Sequence, residues 1–180
     1  MTGISRRGLL RSFLGISAAG LPFGSRIGHS DALAISKDTS TFLSCFGTDT
    51  GSFGTGSFGV AAFDRHLRFR AKTPGRGHGV VVHHERPDFV VVARRPDTWL
   101  AVFDRKTAAP LKTVQCPDNR HLLGHGVYDR TGSLLFVTEN DFEAGLGIVG
   151  IYNARDGYRR EGEFASHGGG PHELVLVPRG

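Results

Sequence analysis

The chain has 180 residues, 39% hydrophobic and 22% charged, with 26 glycines, 13 phenylalanines and one methionine, enough for one ordinary domain and unlike a chain disordered throughout or a collagen-like one. Glycine stands at about twice its usual ~7% share with no three-residue period, which predicts many turns, and the wealth of phenylalanine and valine predicts short strands. The formal charge is +5, yet four of the 22 basic and one of the 17 acidic side chains fall in residues 1–34, so the rest of the chain carries a net +2; with only short pairs such as Arg94-Arg95 and Arg159-Arg160, no nucleic-acid partner is expected.

Ser5-Arg6-Arg7-Gly8-Leu9-Leu10-Arg11 precedes a modestly apolar stretch diluted by glycine, alanine and serine, and Ala32-Leu33-Ala34 offers a small-residue cleavage site. The paired arginines with Leu-Leu after them resemble a twin-arginine (Tat) signal. An amphipathic N-terminal helix is the alternative. On the first reading residues 1–34 are a Tat-type signal peptide, 35–40 a short linker and 41–180 the folded part, which implies the Tat export machinery as a partner and the periplasm as the compartment. The apolar part falls short of the ~20 residues that a spanning helix needs, so no stable membrane span is expected after cleavage. Cys45 and Cys116, the only cysteines, read as small residues in or beside strands, since two cysteines define no disulfide framework.

Asp49–Gly59, with four glycines and two phenylalanines, reads as a flexible loop. Beyond it the chain repeats. Gly77-His78-Gly79-Val80 returns as Gly124-His125-Gly126-Val127 and, more weakly, as Pro171-His172-Glu173-Leu174, so the histidines stand 47 residues apart. Ala62-Phe63-Asp64, Val102-Phe103-Asp104 and Ile151-Tyr152-Asn153 give a second marker at intervals of 40 and 49 residues. Each period holds four apolar runs: Gly79–His83, Phe89–Ala93, Trp99–Phe103 and Leu111–Gln115 in one copy, and Val127–Tyr128, Leu134–Thr138, Ile148–Tyr152 and Tyr158–Phe164 in the next, with Asp-, Pro- and Gly-bearing turns between them.

Four strands per period of 40 to 50 residues predict an all-β fold, a β-propeller with blade boundaries near 77, 124 and 171. Residues 35–180 hold about three such units, whereas closed propellers have about 4 to 8 blades. The chain enters at a second strand, Thr41–Phe46, and stops after a first strand, Glu173–Val177. The expectation is therefore an incomplete ring, the N-terminal part of a longer propeller.

Pro74-Gly75-Arg76-Gly77-His78-Gly79-Val80, Ala93-Arg94-Arg95-Pro96, Gly124-His125-Gly126-Val127, Thr138-Glu139-Asn140-Asp141 and Pro171-His172-Glu173-Leu174 together resemble a family of Tat-exported proteins classed as a domain of unknown function, number fifteen-thirteen. The resemblance covers about residues 41–180. It implies a seven-bladed propeller, an exported location, and an association with imelysin-type, iron-regulated envelope proteins. More distantly, the run Gly132–Asn140 is similar to lactonase-like propellers.

In a propeller the first strand of each blade lines the central channel. His78, His125 and His172 are thereby expected at equivalent places around one channel mouth, with Arg94, Arg95, Glu139, Asn140 and Asp141 in loops that rim it. Arg76 and His121 complete the ligand-binding candidates. Imidazoles suit iron, copper and zinc, and iron or copper is the metal such a set would take. Alternatively each histidine hydrogen-bonds the loop of the adjacent blade and holds the ring together. His83 and His84, at the other end of the first strand, read as solvated turn residues. His167 is a further candidate for the rim, and Gly168-Gly169-Gly170 after it read as a turn that could also bring backbone amides to an anion. No nucleophile motif is present. The function expected is a non-catalytic ligand-, metal- or partner-binding protein, with an envelope iron-handling partner implied by resemblance. The alternative is a lactonase-like or metal-dependent hydrolase with Glu139 or Asp141 as base.

Overall fold

Turn chemistry sets the pairing. Asp104, Asp129 and Asn153 each accept hydrogen bonds from backbone amides two to five residues further on, so each strand turns back onto the next one in the chain. The computed structural model describes residues 40–48 and 57–177. The expected signal segment, the linker apart from Ser40, and positions 49–56 of the glycine-rich segment lie outside the described residues.

Eleven strands are described, in three antiparallel sheets. The first sheet holds β1 (Phe42–Thr48), β2 (Ser57–Phe63) and β3 (Leu67–Lys72). The second holds β4 (Gly77–Val82), β5 (Asp88–Ala93), β6 (Trp99–Asp104) and β7 (Pro110–Gln115). The third holds β8 (Arg120–Tyr128), β9 (Leu134–Asp141), β10 (Leu146–Asn153) and β11 (Arg159–Ala165). Strand order within every sheet follows chain order. The single helical element among the described residues is a 3-10 turn, Ala154–Asp156.

Burial grades across each sheet. β5 is buried along its whole length and β6 nearly so, whereas β3, β7 and β11 face solvent. The first strands of the two four-stranded sheets, β4 and β8, pack beside each other, and β1 and β5 lean on β4 and β8 respectively. The core that results joins Val60, Phe89, Val91, Leu100, Phe103, Leu122, Leu135 and Tyr152, each large side chain worth roughly 1.5–3 kcal/mol on burial.

Two buried polar networks hold the strands, one within the third sheet and one between the second and third. Glu139 is fully buried on β9, accepting from the Tyr152 hydroxyl at 2.6 Å and pairing with Arg160 at 2.8 Å. Arg160 also reaches Glu163, which with Asp141 flanks Arg120. At the far end of β4, Asp88 accepts from Tyr158, whose hydroxyl meets that of Tyr128 at 2.7 Å.

Three expectations are corrected. Glu139, Asn140 and Asp141 belong to β9 itself and not to a loop, because the β9–β10 ladder runs on through Asp141 and Leu146. His83 is no solvated turn residue: it is 1% exposed, with Nε2 donating to the Gly132 carbonyl at 2.9 Å and Nδ1 accepting from the amides of Glu85 and Arg86. Glu173–Val177 forms no strand, and Val175 and Val177 stay exposed, because no described strand lies alongside to take its backbone hydrogen bonds. In addition, Ser57–Gly59 of the expected loop belongs to β2.

Candidate metal centre

The glycines of the Gly-His-Gly repeat let two backbones approach. A Cβ on Gly79 would strike the Gly124 carbonyl oxygen, and a Cβ on Gly124 would strike the ring of His78. Gly124 also holds φ at +101°, a conformation that other residues rarely adopt. Both histidines stand at irregularities in their ladders: the β4–β5 register shifts between Gly77 and Gly79, and the β8–β9 register between Leu122 and Gly126. Such bulges re-aim side chains out of the pleat. At the second one Thr138 takes over the missing ladder bonds, accepting from the His125 amide at 3.2 Å and donating to the His125 carbonyl at 3.1 Å.

His172 arrives from the segment after β11 and completes a cluster. Ring centroids lie 4.9 Å apart for His78 and His125, 4.6 Å for His125 and His172, and 6.0 Å for His78 and His172. One nitrogen from each of the three lies within 4.8 Å of the others. Metal–nitrogen bonds of ~2.0–2.1 Å in a tetrahedron place ligand nitrogens about 3.4 Å apart, so no pair needs to close by more than about 1.4 Å.

None of these ring nitrogens has a hydrogen-bond partner among the described residues, and His125 Nε2 is buried without one. The nearest carboxylate oxygen, Glu173 Oε1, is 3.6 Å from His125 Nδ1. Burial, followed by the charges of His125, Arg94, His172 and Arg76, lowers the pKa of His78 below the usual 6.5. A depressed pKa keeps the imidazole neutral, the form that ligates metal.

Arg94 and Arg95 begin the turn after β5. Its backbone is fixed by bonds from the Arg94 amide to the Arg76 carbonyl, the Asp97 amide to the Arg94 carbonyl, and the Leu122 amide to the Asp97 carbonyl. A cleft of about 160 Å³ lies between Arg94, Arg95, Leu123 and Pro171 and is walled by His78 and His172. A second, of about 240 Å³, adjoins His78 and Arg94 and is lined by Arg76 and Cys45. Cys45 and Cys116 are free thiols, and burial pushes them up to about 11 and about 12, which keeps them protonated and poor ligands.

The fold therefore gathers His78, His125, His172, Arg76, Arg94 and Arg95, and leaves the other candidates elsewhere. His121 stacks on Phe142 at 4.3 Å. Glu139 and Asp141 are held by Arg160 and Arg120, and Asn140 carries a buried Oδ1 without a partner. His167 is exposed at φ +62°, in a turn whose Gly168 carbonyl accepts from the Gly147 amide. Sequence reasoning missed Thr138 and Glu173. Each had a signal: Thr138 precedes the Glu-Asn-Asp run, and Glu173 directly follows the third histidine.

No curated protein matches the chain. The family described as "Protein of unknown function (DUF1513)" matches residues 71–180, a span that takes in both four-stranded sheets and all three histidines. The chain belongs to this family.

Proposed function

We propose that the protein is an exported β-propeller, its sheets successive blades, that binds one transition-metal ion through His78, His125 and His172. The observation that carries the reading is the convergence of the three imidazole nitrogens within 4.8 Å while they lack hydrogen-bond partners among the described residues. An architectural histidine in this same chain looks different: His83 spends both ring nitrogens on backbone groups. A borderline-soft ion such as iron, copper or zinc suits three imidazoles. Binding is favoured over hydrolysis because the two carboxylates that a hydrolase would use, Glu139 and Asp141, are engaged by arginines.

The propeller reading is supported by chain-order sheets whose first strands pack side by side. Export by the Tat route to the periplasm is supported by Arg6-Arg7 and the apolar stretch after them. A role in envelope iron handling rests on the family resemblance.

The test is equilibrium metal binding to the chain and to His78→Ala, His125→Ala and His172→Ala. One bound ion per chain is expected, with each variant weakened beyond the ~10–100-fold typical of losing a group behind the ligands. Unchanged metal binding combined with lost thermal stability in all three variants would overturn the reading in favour of histidines that merely hold the sheets.

A further inference from the structure

We infer that the site takes its metal together with a small oxyanion, a carboxylate or phosphate group that ligates the ion and pairs with Arg94 and Arg95; this rests on the metal reading above. Three imidazoles are neutral ligands, so an ion held by them alone would keep its whole charge. Its surroundings add more of the same sign. Arg76, Arg94 and Arg95 have no carboxylate partner among the described residues, whereas Arg120 and Arg160 each pair with two. The nearest negative charge, Glu173, sits on His125 and is 65% exposed. A cation at the three nitrogens therefore needs an anion, and the structure has a place for one.

The cleft of about 160 Å³ is lined by His78 and His172 together with Arg94 and Arg95, far more room than the ~10–15 Å³ that one water requires. An oxyanion there would reach metal and guanidinium together. Ions held by three protein ligands keep open positions for an exogenous group, and guanidinium groups match carboxylate and phosphate oxygens two at a time. The turn that carries both arginines is hydrogen-bonded to β8 through Leu122, so the anion pocket is fixed to the strand that supplies His125.

The experiment follows Co²⁺ binding to the chain by visible absorption in three buffers of matched ionic strength, containing chloride, inorganic phosphate or malonate. The same series is run on an Arg94→Gln/Arg95→Gln double variant, which shares the solution chemistry of ion and anion. Phosphate or malonate is expected to tighten Co²⁺ binding at least about fivefold in the unaltered chain and less than about twofold in the variant. The more effective anion identifies the source as a phosphate or a carboxylate. Co²⁺ bound equally well in all three buffers, or an equal gain in chain and variant, would overturn the oxyanion while leaving the metal site standing. Absence of Co²⁺ binding in every buffer would overturn both.

Discussion

His78 rests on Gly124: the imidazole fills the space that a side chain at Gly124 would need. Since Gly124 precedes His125, one contact brings the first two members of the cluster together. Gly124→Ala is expected to displace His78 and strain a φ of +101°, costing ~1–3 kcal/mol and weakening metal binding. Gly168→Ala, where a Cβ meets nothing within 4 Å, should change neither. Urea unfolding and metal titration of the two variants make the comparison.

Thr138 is a positioning residue for His125. Its hydroxyl bonds both the amide and the carbonyl of that residue from a fully buried site. Thr138→Val keeps the shape and is expected to lose ~1–3 kcal/mol, because two backbone groups go unsatisfied. Metal affinity should fall with it, and Thr138→Ser should restore affinity. Recovery of stability without recovery of affinity in the serine variant would show that the hydroxyl does not aim the imidazole.

His83 supplies the converse case. With three backbone hydrogen bonds and Tyr128 at 4.6 Å, His83→Ala should cost ~2–4 kcal/mol. Metal binding per folded molecule should stay as it was. The exposed neighbour His84 should tolerate alanine to within ~0.5 kcal/mol. Thermal denaturation with metal analysis of the refolded fraction separates the two roles.

Acid should loosen the third sheet. Hydrogen bonding from Arg120, and then from Arg160, holds the Glu163 carboxyl below its usual 4.5. A lowered carboxyl pKa means that the unfolded chain binds the proton first, so this stabilisation is complete above pH 4.5 and is lost as the pH falls through the folded value. Glu163→Gln should lower stability at neutral pH and flatten the acid limb. Urea midpoints taken between about pH 3 and 7 read both effects.

The strands were legible because their punctuation is local. Pro87, Pro96, Asp104 and Gly132 mark turns whatever the fold, and the runs of valine and phenylalanine between them matched β5, β6 and β10 within one or two residues. The 47-residue spacing of His78, His125 and His172 pointed to a common face, but only the first two stand on first strands of four-stranded sheets, and His172 reaches them from a segment that forms no strand. What escaped depends on contacts between strands. Glu139 looks like a loop carboxylate in the sequence, and only the positions of Tyr152 and Arg160 explain how β9 carries it buried. His83 is polar and next to a turn, and nothing local says that the Gly132 carbonyl, 49 residues away, accepts its hydrogen bond. The length of β8 was hidden for a similar reason, since its bulge breaks the alternation by which a strand is recognised.

The spacing of the three histidines also bears on when an ion can be acquired. Bringing residues 78, 125 and 172 together in an unfolded chain closes two loops of 47 residues, each costing ~4 kcal/mol of chain entropy. Folding has already met that cost in a chain docked sheet to sheet, whereas the extended polymer would have to meet it on binding, so the ion is taken up after folding. On the proposed reading, the compartment in which the chain folds decides which metal it meets first.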